Sequence, residues 1–355
     1  MTGDQPALAQ PGPLLSVRDL CVTVGGATPG VPVVKDVSLD LARGTAFGLV
    51  GESGSGKTTT LRAILGLLPV GARVTAGQVT LGGRDLARAT ARELRHIRGG
   101  QVGVIWQDPL ACLDPVMRVG DQIAEAVRAH AAVSKAAARS RSLELMRQVE
   151  LPEVAQISRR YPHELSGGQR QRVVIATAIA AGPGLLLADE PTTALDVTVQ
   201  DQVLALIRKL RAELGLALLL VTHDLAVVAQ TCDHVAVMYA GRVVETGPVS
   251  EVFSAPRHHY TWGLLRAAPS LDSLGQLPEG IPGTPATAAA VVGCAFAPRC
   301  QRADQVCATV TPALAGHGGH LTACHHPAPG AGPVLSPVAT APPEAAAGHP
   351  KDAHD

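Results

Sequence analysis

Apolar residues along this chain follow two rhythms. Residues 45–50, 185–188 and 216–221 are short, almost wholly apolar runs, the pattern of strands buried on both faces of a parallel sheet. Leu61, Ile64, Leu65 and Leu68 recur three and four apart, as do Val203, Leu206, Ile207, Leu210 and Leu214, and both spacings predict helices. Residues 79–81 run into Gly82-Gly83, a hairpin turn. Strand-like and helix-like segments alternate to about residue 268, whereas residues from about 92 to 178 read as mostly helical. The pattern predicts an α/β core, residues 14–268, with an inserted helical subdomain and an antiparallel β part. Residues 1–13 and 327–355 are rich in Pro, Ala and Gly without periodicity, and are expected to be disordered tails.

Composition narrows the function classes. Lys+Arg and Asp+Glu both number 30, so no bulk charge favours nucleic acid or an anionic membrane. The longest apolar run, residues 214–221, is broken by Gly215 and too short to cross a bilayer, and the N-terminus lacks a secretory-signal pattern. Seven cysteines, an odd number, fit a reducing compartment rather than a disulfide scaffold. The expectation is a cytoplasmic protein that reaches a membrane only by docking onto another.

GESGSGKT, residues 51–58, matches G-x-x-x-x-G-K-[ST] between a predicted strand and a predicted helix. In Gly51, Glu52, Ser53, Gly54, Ser55 and Gly56 the glycines let backbone N–H groups turn inward around phosphate, ahead of the positive end of a helix. Lys57 is placed to reach the β- and γ-phosphates, Thr58 to ligate Mg²⁺, and Thr59 follows in the first helical turn. This motif alone indicates a P-loop nucleotide binder of any kind. LLLADEP adds Asp189, a carboxylate suited to Mg²⁺, at the end of an apolar strand 132 residues after Lys57. Glu190 follows it, and on a continuing strand the two side chains would point opposite ways. One would then serve the metal and the other, as general base, the attacking water.

LSGGQRQR, residues 165–172, resembles the signature sequence of ABC ATPases. That resemblance implies that Leu165, Ser166, Gly167, Gly168 and Gln169 of one cassette close on the nucleotide held by a second, head to tail. Further landmarks fall in the family's order. Gln107 in VGVIWQDP resembles the Q-loop residue that senses Mg²⁺ and the attacking water. TALD, from Thr193 through Ala194 and Leu195 to Asp196, resembles the D-loop, and His223 in LLLVTHD resembles the switch histidine. The family's adenine-stacking aromatic near the first strand is replaced by Val24, which implies weaker or less base-selective binding.

The 109 residues from Lys57 to Ser166 leave no room for the long coiled coil of DNA-repair relatives, and only one cassette is present. QDPLACLDPVMRVGDQI, RYPHELSGGQRQRV and DEPTTALDVTVQ resemble the ATPases of oligopeptide, dipeptide and nickel importers, as does the stretch 235–265. The resemblance implies a second, non-identical ATPase, two membrane permeases and an extracytoplasmic binding protein as partners, with peptide as cargo and nickel as the alternative. A soluble ABC ATPase acting on nucleic acid or ribosomes and a regulatory nucleotide-binding module are the rival classes. The extension, residues 269–326, carries Cys294, Cys300, Cys307 and Cys324, with gaps of five, six and sixteen. Four clustered cysteines read as ligands. The family favours a [4Fe–4S] cluster, while four thiolates also satisfy zinc. Cys21, Cys112 and Cys232 read as ordinary core or loop residues.

Overall fold

A computed structural model describes residues 12–25, 30–193, 195–268, 280–284 and 292–328. Most of the two expected tails, and Ala194 of the D-loop, lie outside the described residues. Strands β1 (Leu15–Val24) and β2 (Val31–Leu41) open the chain, and β3 (Ala46–Val50) runs into helix α1 (Lys57–Ile64). β4 (Ala72–Leu81) and β5 (Arg84–Asp85) flank Gly82 and Gly83, both at positive φ, as the hairpin pattern predicted. These two strands join β2 and β1 in a four-stranded antiparallel sheet, in the order β2-β1-β4-β5.

After α2 (Ala91–Gly100) comes β6 (Val102–Ile105), then α3 (Pro109–Cys112), α4 (Val119–His130), α5 (Lys135–Gln148), α6 (Val154–Ile157) and α7 (Gly167–Ala178). β7 (Leu185–Asp189), α8 (Val197–Leu214), β8 (Ala217–Thr222), α9 (Leu225–Thr231), β9 (His234–Tyr239) and β10 (Arg242–Pro248) alternate next. Two helices, α10 (Val249–Ser254) and α11 (His259–Ala267), precede the extension, which adds α12 (Gln305–Thr309), β11 (Ala315–His317) and β12 (His320–Thr322).

The second sheet runs β11-β12-β10-β9-β3-β8-β7-β6. Its centre is parallel: β3 lies between β8 and β9, and β7 between β8 and β6. Within the mostly helical stretch 92–178 lies one strand, β6, that the sequence pattern did not show. Its four residues, VGVI, are too few to show a period, and only their parallel pairing with 185–188 makes them a strand. Helix α1 is also shorter than the apolar spacing suggested, because Leu65 caps it and Gly66 turns left-handed.

Strand alternation divides the core. Leu185, Leu187, Ala217, Leu219 and Val221 face a cluster that includes Leu61 and the antiparallel sheet. Leu186, Ala188, Leu218 and Leu220 face the opposite cluster, with Val173, Ile175, Val203 and Ile207 of α7 and α8. Neither face meets water, which is why these strands lack polar alternation. The parallel strands end together, and the loops leaving β3, β6, β7 and β8 therefore gather along one edge of the sheet.

The extension is stitched onto this sheet. β12 pairs antiparallel with β10 through Glu245↔Thr322 and Thr246↔Leu321. Glu245 is fully buried, and its carboxylate accepts the Arg257 N–H at 2.6 Å and the His258 N–H at 3.0 Å, with His320 Nε2 at 2.8 Å. A buried carboxylate is tolerated only when its lone pairs are satisfied, and removing it orphans two buried groups, on His258 and His320, and the part-buried Arg257 N–H. Glu245→Ala is expected to lower unfolding free energy by about 3 kcal/mol in urea titration of the full chain; a loss within about 0.5 kcal/mol would show that water replaces the carboxylate.

Candidate active site

The glycine-rich loop leaves β3, whose five residues are all buried. Gly51 sits at φ 151°, and a Cβ there would lie 2.2 Å from the Met238 carbonyl oxygen. Gly56, at φ 104°, caps α1, and a Cβ there would lie 2.8 Å from the Val33 carbonyl oxygen. Backbone contact with β9 and β2 thus requires glycine at both positions. Gly54 is also at positive φ but in open space, while Ser53 is exposed and Thr59 half-buried. Ser55 Oγ is buried without a hydrogen-bond partner. Lys57 is buried, and its ammonium donates to the carbonyls of Gly51 at 2.7 Å and Glu52 at 2.9 Å. Burial pulls its pKa down, opposed by the charges of Glu190, Asp189 and Glu52.

Asp189 ends β7, nearly inaccessible, and its Oδ1 accepts the Thr58 hydroxyl at 3.0 Å. Burial raises its pKa, partly offset by the Thr58 hydrogen bond. A serine-type hydroxyl and a carboxylate in contact beside an ammonium are hard oxygen donors, the set that suits Mg²⁺.

Glu190 is not on the strand. It adopts a left-handed conformation, φ 45°, while its N–H donates to the Val221 carbonyl at 2.8 Å. This turn, rather than strand alternation, separates the two carboxylates. Gln107 Nε2 donates to Glu190 Oε2 at 3.2 Å, the Thr193 hydroxyl donates to the same oxygen at 2.8 Å, and His223 Nδ1 lies 3.2 Å from Oε1. Burial pushes the Glu190 carboxyl up, but Thr193, His223 and Lys57 together bring it below its ordinary value. Gln107 and His223 are themselves exposed. Three loops, after β6, β7 and β8, therefore converge on one half-buried carboxylate.

The signature residues are placed apart from this cluster. Ser166 Oγ accepts the Gln169 N–H at 3.3 Å and Gln169 Oε1 accepts the Ser166 N–H at 3.1 Å, a capping box that starts α7. A Cβ on Gly168 would meet Val199 Cγ1 at 2.7 Å, and one on Gly167 would meet Leu195 at 3.3 Å, so both glycines let α7 approach the start of α8. Leu165 is buried, Leu195 is half-buried, and Asp196 caps α8 by accepting the Val199 N–H at 3.0 Å. Val24 ends β1, partly exposed, with no aromatic side chain in its place.

Cys294, Cys300, Cys307 and Cys324 line one small cavity with His258 and Phe296. All four are free thiols. Burial raises the pKa of Cys294, Cys307 and Cys324, and neighbouring thiols add to the rise. Cys21, Cys112 and Cys232 lie elsewhere, on β1, in α3 and at the end of α9.

Sequence reasoning placed Thr193 only at the start of the D-loop, with no link to Glu190, and assigned no role to Tyr260 or Arg299. Thr193 is three residues past Glu190, a spacing that one turn can close. Tyr260 accepts the Glu52 N–H at 2.8 Å, and Arg299 pairs with the Glu52 carboxylate at 2.7 and 3.0 Å, across separations that leave no local signal.

Comparison with known proteins gives the arrangement its family. Residues 34–193 match the ABC transporter family, and residues 244–307 match the oligopeptide/dipeptide transporter C-terminal region. The oligopeptide transport ATP-binding protein OppD of Salmonella typhimurium is 45% identical over 88% of this chain and 94% of its own length. The dipeptide transport ATP-binding protein DppD of Bacillus subtilis is 45% identical over 84% of this chain and 90% of its own. Among solved structures, the ATP-binding cassette MJ0796, dimeric in a post-hydrolysis state with ADP and Pi, superposes with a TM-score of 0.59 at 29% identity. It covers 66% of this chain and 98% of that cassette. The chain belongs to the ABC transporter ATPases, among the oligopeptide and dipeptide transport ATP-binding proteins.

Proposed function

We propose that this chain is the motor subunit of a peptide importer: it works at the cytoplasmic face of a membrane and couples ATP hydrolysis to uptake of di- and oligopeptides. The observation that carries the hydrolytic part is the convergence of Gln107, Thr193 and His223 on Glu190, beside the Thr58–Asp189 contact. The cargo rests on likeness to relatives named for oligopeptides and dipeptides, which extends through the C-terminal region. Among the described residues no helix is long and apolar enough to cross a membrane; in this reading translocation belongs to two membrane permeases. The remaining partners are a second, non-identical ATPase and an extracytoplasmic binding protein reached through the permeases.

In this reading the loop N–H groups and Lys57 bind the β- and γ-phosphates of ATP, and Thr58, Asp189 and Gln107 hold Mg²⁺. The ion neutralises phosphate charge when bound. Glu190, kept ionised by its hydrogen bonds, takes a proton from the attacking water as the water's oxygen bonds to the γ-phosphorus and the bond from that phosphorus to the β–γ bridging oxygen breaks, releasing ADP. Thr193 and His223 hold that carboxylate in place, and His223, being exposed, also reaches the γ-phosphate. Leu165, Ser166, Gly167, Gly168 and Gln169 complete the site of the partner ATPase, with Ala194, Leu195 and Asp196 crossing between the two.

The four cysteines are assigned to a [4Fe–4S] cluster, which supplies a rigid multi-thiolate tie when bound. Zinc would draw its four sulfurs to about 3.8 Å from one another, given Zn–S bonds of about 2.3 Å. Among the described residues, the one group of three candidate ligand atoms within 4.8 Å of one another is Asp304, Cys307 and His326, not three thiols.

Two measurements test these assignments. Cells carrying Lys57→Ala are expected to lose uptake of labelled di- and oligopeptides while nickel uptake is unchanged; loss of nickel uptake alone would replace the cargo. Protein purified without oxygen is expected to be brown and to hold about four iron atoms per chain, lost in Cys300→Ser. Colourless, zinc-loaded protein would refute the cluster.

A further inference from the structure

Glu52 is an unexpected residue to find in a loop built to hold anions. Its carboxylate lies close enough to Lys57 to act on that ammonium, and so beside the place where phosphates bind in the proposed function. Left alone it would repel them. It is not left alone: Arg299 Nη1 donates to Glu52 Oε2 at 2.7 Å and Nη2 to Oε1 at 3.0 Å, a two-pronged ion pair. The same guanidinium donates from Nη1 to the Tyr239 hydroxyl, from Nη2 to the Ile281 carbonyl and from Nε to the Pro282 carbonyl. All five of its N–H groups are thereby engaged. Its side chain is only 5% exposed, against 24% for Glu52.

We infer that Arg299 is a positioning residue for ATP binding: it neutralises and fixes Glu52, so the cassette's nucleotide affinity depends on the cysteine-bearing extension. The inference rests on the phosphate-loop reading above. Glu52 is held at three points. Tyr260 takes its N–H, Arg299 its carboxylate, and its carbonyl accepts the Lys57 ammonium at 2.9 Å. A displacement of Glu52 is thus a displacement of the lysine that meets the phosphates. Arg299 in turn immediately precedes Cys300, on the wall of the thiol cavity.

A simpler role, fastening the extension to the cassette, is already filled by another set of contacts. β12 pairs with β10, and His320 meets buried Glu245, at a different end of the extension. What Arg299 adds is charge balance inside the loop.

That distinction sets the test. In titrations of the full chain with a fluorescent ATP analogue, Arg299→Ala is expected to raise Kd about tenfold, and Arg299→Gln, closer in size, to do the same. Adding Glu52→Gln to either is expected to bring Kd back to within about threefold of wild type, since no unbalanced carboxylate remains. A fastening role would not be rescued by removing the second partner. Kd within about twofold of wild type in both single variants, or no rescue in the double, would overturn the inference while Lys57→Ala still abolishes binding. Failure of wild type itself to bind the analogue would overturn the phosphate-loop reading and this inference together.

Discussion

Asp189 and Glu190 are adjacent carboxylates with different hydrogen-bond partners, and the left-handed turn at Glu190 is what separates them. Asp189 is the last residue of a strand buried on both faces, so its side chain stays against Thr58 at the root of α1. Had the strand continued, Glu190 would lie on the opposite face, inside the packing of α7 and α8. At φ 45°, with its N–H anchored on the Val221 carbonyl, it turns out to the sheet edge instead. A non-glycine residue held there costs about 1 kcal/mol or more, and surrounding contacts must offset it. Thr193, Gln107 and His223 provide those contacts, and each comes from a loop at the same edge. The turn therefore joins the strain and the electrostatics of the site.

The same edge shows why the core is built as it is. Strands β3, β6, β7 and β8 are parallel and in register, so their ends bring Lys57, Gln107, Asp189 and His223 into one row. Their side chains alternate between two clusters, one shared with the antiparallel sheet and one with α7 and α8. The second cluster links the row to the signature, because Gly167 and Gly168 lie against Leu195 and Val199, just past the carboxylate pair. The third cluster, around Tyr239, Tyr260 and Phe296, ties the phosphate loop to the extension.

Much of this was legible along the chain because the chemistry is contiguous. The phosphate loop and the carboxylate pair each occupy a few successive residues beside apolar runs that place them at strand ends, while the signature was marked by resemblance to its family, ahead of a helix. β6 was not legible, since four residues carry no period and its identity comes from β7 beside it. Arg299 was not legible either: 247 residues separate it from Glu52, and an arginine beside a cysteine has no local meaning. The direction of Glu190 was misread for a related reason. Alternation describes a strand, and the turn is fixed by a hydrogen bond to the neighbouring β8. The gathering of four cysteines at one cavity was legible only as spacing, and their shared wall emerges from folding.

The central claim is that Asp189 and Glu190 divide binding from chemistry, and separate measurement of the two steps in the assembled transporter tests it most directly. With Glu190→Gln, ATP is expected to bind as tightly as to wild type while single-turnover hydrolysis falls about a hundredfold or more. Hydrolysis at the wild-type rate in that variant would contradict the account, because the carboxylate on which three loops converge would then have no part in the reaction.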